Sequence, residues 1–431
     1  MPDRLTVRTV AVGAPADLLA ALPESAALAW VRRGDGMAGW GEAARVTLPA
    51  GEDRFTAAEK WLREVYDDAR ITDDVALPGT GPVAFGSFTF DPASDGSVLV
   101  VPRVVLGRRA GRGWLTTISG GDDDEPPAPR TGLSPARPAP AEPGPAAAAG
   151  QAGRNRWSDG SLPAPQWERA VAAAVARIRA GELRKVVLAR DLRAVADHDI
   201  DPRQVMTRLA RRYPDCYTFC CAGLVGATPE LLIRRFGDEV RSLVLAGTTP
   251  RGASAAEDAA LGAALLASAK NGEEHGYAVA GVRAALEPMC AELAVAPRPA
   301  LLQLANVQHL ATRVRGRLAA GPDGPAGSAP TALALAAALH PTAAVCGTPT
   351  AAALELIREL EGMDRGRYAG PVGWLDARGN GEWGIALRCA ELDGPRARLF
   401  AGCGIVADSD PAAELAEAQA KFRPVQDALE G

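Results

Sequence analysis

Glu414, Glu417 and Lys421 fall at i, i+3 and i+7 of a run that opens with Asp410-Pro411. A capping aspartate followed by proline starts a helix, and the pattern continues to about Leu429. At 100° per residue the three side chains lie within about 60° of one face. One reading is a solvated face with a Glu417–Lys421 ion pair worth of the order of 0.3 kcal/mol. The other is a carboxylate pair for a hard cation, with the lysine reaching an anion beside it. SAKNGEEHGY (268–277) places Glu273, Glu274 and His275 at the start of a second helix, where acidic residues also favour the dipole. A divalent ion needs carboxylates from more than one element, and Glu274 with Glu417 would supply them.

Strand-like segments offer further groups. In Glu382–Arg388, period two puts Trp383, Ile385 and Leu387 on one side and Glu382, Gly384, Ala386 and Arg388 on the other. Glycine and alanine beside a charge leave room for a ligand, and Arg388 could grip a carboxylate or phosphate bidentately. An ordinary solvent face is the alternative. Glu382 itself fits either an orienting role towards Arg388 or Lys421 or a structural ion pair. Gly402 and Gly404 in AGCGIV allow backbone N–H groups to approach an anion. No GxxxxGK[ST] occurs, so no Walker-type nucleotide site follows. Lys185 heads the apolar run KVVLAR, and Glu230 follows the turn in GATPELLIRR. A lysine at a strand edge is commonly a solvated charge. It can also act as a base, which arginine cannot. A desolvated carboxyl such as Glu230 could keep its proton and serve as a general acid.

Composition sharpens the interest in lysine. The chain has 431 residues, and of its 47 basic residues only Lys60, Lys185, Lys270 and Lys421 are lysines. Lys60 reads as a helix surface residue, and Lys270 has no assigned role. The net charge of −5 and the lack of a long basic run argue against nucleic acid or an anionic membrane as partner. No apolar run is long enough to span a bilayer, and Met1 to Val10 lacks signal-peptide order. Seven cysteines without CxxC pairs read as reduced thiols in a cytosolic chain, with Cys220 and Cys221 as small buried hydrophobes.

These groups need a scaffold. Residues 1–119 carry short β-like runs, including ALAWVRR, GPVAFGSFTF and SVLVVPRVVLGRR. Residues 120–153 are rich in Pro, Ala and Gly and read as a flexible linker or loop. Residues 154–431 alternate helices and strands. A helix begins at Pro165 and ends at Gly181. Helices are expected at Asp258–Ala269 and Glu274–Pro288, with Gly272 interrupting them. The run from Gly370 to Val406 reads as three antiparallel strands, with turns at 378–381 and 393–395. The mixture indicates an α+β fold rather than a doubly wound parallel sheet.

Nine ordered segments carry a resemblance to the chorismate-utilising enzymes, nearest the isochorismate synthases. They are KVVLAR, GATPELLIRR, LAGTTPRG, SAKNGEEHGYAV, VQHLATRVRG, LHPTAAVCGTP, MDRGRYAGPVGW, GNGEWGIALRCAEL and FAGCGIVADSDPAAELAEAQAK, over about residues 182–421. GWGEAARV and AFGSFTFDP extend the likeness before the linker. The resemblance implies antiparallel sheets packed with helices around a deep central active site. The expected reaction is Mg²⁺-dependent interconversion of chorismate and isochorismate. Lys185 matches the general base that activates water for attack at C2, and Glu230 matches the acid that protonates the departing C4 hydroxyl. Glu274 and Glu417 match the Mg²⁺ ligands, with Glu414 in a water-mediated shell. Arg388, Tyr368, Gly402 and Lys421 match contacts to the enolpyruvyl carboxylate, and Gly247, Thr248 and His309 match the pocket lining. Ala344 stands where salicylate synthases tend to have Thr. Val345, Cys346, Ala269 and Asn271 depart from common family residues and bear on pocket shape. No glutaminase subunit is expected, and the chain is expected to be a cytosolic monomer. The alternatives are a salicylate synthase, an anthranilate or aminodeoxychorismate synthase component and, outside enzymes, a non-catalytic chorismate-binding protein. Retention of both Lys185 and Glu230 argues against the last.

Overall fold

The computed structural model describes residues 4–23, 27–120, 155–319 and 329–431. The segment read as a linker therefore lies, apart from Gly120, outside the described residues. Two large sheets, of 13 and 10 strands, dominate, and helices pack on them, giving an α+β fold. Among the described residues every strand pair is antiparallel except Leu5–Val12 with Arg70–Asp73. Strands from before residue 120 continue both sheets: Leu28–Arg32 pairs with Tyr217–Cys221, and Val83–Ser87 pairs with Pro371–Asp376. The chain is poor in aromatics but spends them in the interior. Trp30, Trp374, Trp383, Phe85 and Phe88 are fully buried in one cluster. Such rings each remove about 150–250 Å² from water.

Twice the chain passes between the sheets near the same place. It leaves the larger sheet after Leu224–Thr228, crosses at Pro229-Glu230 and enters the smaller one as Leu231–Phe236. It returns from Gly381–Ile385 through Ala386–Arg388 to Cys389–Asp393. The crossings are tied together, since Ile385 N–H donates to Glu230 O at 3.2 Å and Ala227 N–H donates to Arg388 O at 3.2 Å.

This crossing corrects the three-strand reading of residues 370–406. There are four strands, Pro371–Asp376, Gly381–Ile385, Cys389–Asp393 and Arg396–Ile405. Arg388 has φ +49°, a left-handed conformation uncommon for a non-glycine residue, and it turns the chain into the other sheet. Arg388 therefore does not share an alternating strand face with Glu382. The helix boundary also moves. Ser268, not Gly272, divides the helices Ala255–Ala267 and Ala269–Leu286. The Ser268 hydroxyl accepts from Asn271 N–H at 3.3 Å, a normal N-cap. Glu274 thus sits in the second turn, and its side chain is free of the dipole role that a first-turn position would give it.

Candidate functional site

Beside the crossings opens a cleft of about 620 Å³, its mouth included. Glu230, Gly247, Thr248, Glu274, His309, Ala344, Tyr368, Arg388, Gly402, Glu417 and Lys421 line it, as does Val345, while Lys185 and Glu414 stand behind Glu274 and Glu417, and Cys346, Ala269 and Asn271 are not in the wall. The Lys185–Val195 and Arg396–Ile405 strands pair along their length and bring Gly402 and Gly404 to the wall. Strand Glu239–Pro250 bulges between Ala246 and Thr248, where Gly247 takes φ +77°. The bulge places the Thr248 hydroxyl 3.0 Å from His309 Nδ1 on the adjacent strand. Helix Ala269–Leu286 contributes Glu274, and helix Pro411–Glu430 contributes Glu417 and Lys421. Ala344 and Tyr368 come from connections, the Tyr368 ring stacking on Phe400 with centroids 5.1 Å apart.

Three of the chain's four lysines meet three glutamates here. Lys185 Nζ is 3.1 Å from Glu274 Oε1, Lys270 Nζ 3.0 Å from Glu414 Oε1, and Lys421 Nζ 2.6 Å from Glu417 Oε1. Lys185 is 0% exposed, so the expectation of a solvated edge charge fails for it. Lys270, left without a role by sequence, has one as the counter-charge of Glu414. Lys421 also donates to Gly402 O at 2.9 Å. Burial opposes its charge, but Glu417 outweighs this and holds its pKa above the ordinary lysine value. Lys60 lies on the surface, 3.9 Å from Glu64.

Glycine is required where these pairs meet the backbone. A Cβ on Gly404 would stand 2.3 Å from Glu274 Oε1 and 3.1 Å from Lys185 Cε. A Cβ on Gly402 would stand 3.2 Å from the Tyr368 hydroxyl oxygen. The glycine pattern visible in AGCGIV thus serves close approach of side chains to a strand.

Glu230 is the buried carboxyl set apart from these pairs. It is 5% exposed, and burial raises its carboxyl to about 8 against the pull of Arg388, Lys185 and Lys421. At pH 7 it carries its proton. His309 is neutral: burial, then Arg388 and Lys421, push its pKa well below the ordinary value. Its Nε2 is buried with no hydrogen-bond partner among the described residues.

The carboxylates could hold a cation. Ligand atoms of Cys403, Glu414 and Glu417 lie within 4.8 Å of one another. Burial and then the charge of Glu417 raise Glu414, a sign of crowded carboxylates. The Cys403 thiol donates to Glu414 O at 3.2 Å, and burial raises its pKa well above the ordinary value, so it stays a protonated thiol rather than a ligand. That leaves an oxygen-only donor set, which suits a hard divalent ion such as Mg²⁺.

Sequence reasoning missed the Glu361–Arg365 pair, although Arg365 sits in the MDRGRY segment. Both are buried and bonded at 2.5 and 2.9 Å. Glu361 accepts from Ala189 N–H at 2.7 Å, while Arg365 donates to Val345 O and Val187 O, each at 2.8 Å. The pair clamps the Ala344-Val345 wall onto the strand that begins with Lys185. Its i, i+4 spacing was the available signal, but that spacing is common on surfaces. Glu382 takes its structural reading: it accepts from Trp30 Nε1 at 3.2 Å and pairs with Arg234 at 3.3 Å.

The fold and the cleft define a class. Residues 15–430 match the model of the chorismate binding enzyme family, and the chain belongs to that family. Among its relatives is the salicylate biosynthesis isochorismate synthase of Pseudomonas aeruginosa, 47% identical over 268 residues. That match covers 61% of this chain and 54% of the relative, so the chain spans about half of that protein's length. The isochorismate synthase MenF of Bacillus subtilis is 34% identical over 403 residues, covering 86% of this chain and 80% of the relative. The solved structure of MenF, the menaquinone-specific isochorismate synthase from Escherichia coli, superposes with a TM-score of 0.76 at 26% identity. It covers 100% of this chain and 96% of the other. Among the described residues no helix is long and apolar enough to cross a membrane.

Proposed function

We propose that the chain is an isochorismate synthase that adds water at C2 of chorismate and expels the C4 hydroxyl. The observation that carries this reading is a buried carboxyl held protonated, Glu230, within electrostatic range of a buried lysine, Lys185, beside one cleft. Lys185 Nζ takes the proton from the attacking water. The new C2–O bond pushes the ring double bonds over, and the C4–O bond breaks as Glu230 gives its proton to the leaving hydroxyl. The reverse reaction uses the same two groups in exchanged roles. Arg388 and Lys421 provide fixed positive charge for the enolpyruvyl carboxylate, with Tyr368 and Gly402 shaping that end. Gly247, Thr248, His309 and Ala344 line the ring pocket, and the unpartnered His309 Nε2 suits a substrate oxygen.

Glu274 and Glu417 would hold Mg²⁺, with Glu414 acting through water. Bound there, the ion would neutralise and orient the ring carboxylate. The names of the relatives support the reaction. The oxygen-only donor set supports the metal. The reading needs no glutaminase partner, because the nucleophile is water, and the chain is taken to act as a monomer. A cytosolic setting agrees with seven free cysteines.

Incubation with chorismate and Mg²⁺, with and without ammonium, followed by product analysis, tests the reading. Isochorismate is expected under both conditions. Salicylate, an aminated product or no product would overturn it.

A further inference from the structure

A second cleft, of about 880 Å³ with its mouth, opens on the smaller sheet and shares no lining residue with the first. Arg32, Arg234, Arg241, Arg313 and Arg315 line it, and no carboxylate does. That is the opposite of the chain's net charge of −5.

The strand register shows how unusual the arrangement is. Arg315 lies directly opposite Arg241, and Arg241 directly opposite Arg234. Residues facing each other across antiparallel strands share one face, so three arginines form a row across three neighbouring strands. With strands about 4.8 Å apart, the row spans roughly 10 Å. Like charges directly opposite destabilise a sheet. The relief is partial: Glu382, next in the row, pairs with Arg234 at 3.3 Å, and Glu239 pairs with Arg241. Arg315 and Arg313 are exposed and share a face two residues apart, and neither has a carboxylate within ion-pair distance among the described residues, although the charge of Arg315 also reaches Glu239. Arg32 reaches the cleft from the other sheet, fixed by donation to Asp215 O at 2.7 Å and stacked over Tyr217. Beneath this rim lie Leu231, Leu243 and Leu301. Repulsion built into a concave, apolar-floored site is relieved by a bound anion, and guanidinium forks match carboxylate and phosphate oxygens.

We propose that this cleft binds a polyanionic small molecule with an apolar or aromatic body, its charges on the Arg234–Arg241–Arg315 row and its body on the leucine floor. The site is separate from the chorismate cleft, and the proposal does not depend on the reaction assigned there.

Isothermal titration calorimetry of the full chain with pyrophosphate, the head alone, and with ATP, a head on an aromatic body, tests it at low ionic strength. Saturable binding of both is expected, ATP at least tenfold tighter, weakening as salt is raised. R315E should weaken both at least tenfold. It should leave chorismate turnover unchanged. R313E should weaken binding as well. No saturable heat with either probe would overturn the proposal. So would binding within twofold of wild type in both variants, or equal affinity for the two probes.

Discussion

Glu230→Gln separates stability from catalysis in a way the buried acid dictates. Glutamine keeps the shape and an oxygen to accept from the Leu245 backbone N–H, which meets the carboxyl here. It cannot deliver a proton. The wild-type carboxyl has an ordinary value of 4.5 and is raised to about 8 in the fold, chiefly by burial. Between those values the folded state holds a proton that the unfolded chain has released. Stability therefore falls as pH rises through this window. At 1.36 kcal/mol per pH unit, the cost of keeping Glu230 protonated is below about 1 kcal/mol at pH 5 and about 3 kcal/mol at pH 7. Glutamine never pays it. In urea unfolding, the stability of E230Q minus that of wild type should grow by about 2.5 kcal/mol from pH 5 to pH 7. Taking this difference cancels the other titrating groups. Turnover should drop 10²–10⁴-fold in E230Q, and wild-type turnover should decline as pH rises past about 8. A stability difference that does not change with pH would refute the raised carboxyl. Near wild-type turnover would refute its role as acid.

Three further outcomes test the rest of the site. Lys185→Ala should abolish turnover while chorismate binding, measured by calorimetry, persists through Arg388 and Lys421; wild-type turnover would remove Lys185 as the base. Gly404→Ala drives a Cβ to 2.3 Å from Glu274 Oε1, so kcat should fall at least tenfold with an unchanged circular dichroism spectrum, and full activity would show that the Lys185–Glu274 pair need not stay where it is. Glu417→Gln should raise the Mg²⁺ concentration for half-maximal rate and the KM for chorismate together, while chelation of the metal stops wild-type turnover; unchanged Mg²⁺ dependence would contradict the carboxylate site.

Much of this was legible in one dimension because it is local. The period of the last helix puts Glu414, Glu417 and Lys421 on one face, and Asp410 does accept from Ala413 N–H as its cap. The scarcity of lysine pointed at Lys185 and Lys421, and the ordered motifs gave them roles by resemblance. What local pattern could not deliver was partnership across distance. Lys270 looked idle because its partner, Glu414, is 144 residues away. Arg388 looked like one position on an alternating strand because period two says nothing about where a strand changes sheets. Ser268 outcompeted Gly272 as the helix break because a hydroxyl that satisfies a free N–H stops one helix and starts the next more sharply than a glycine within it. The sequence by itself determined which chemical groups exist and the local geometry that repeats every few residues. Only the tertiary structure decided which of them are dry and which of them meet. Burial raises Glu230, and a contact across 144 residues pairs Lys270 with Glu414, because desolvation and Coulomb energy depend on distance in space, not along the chain.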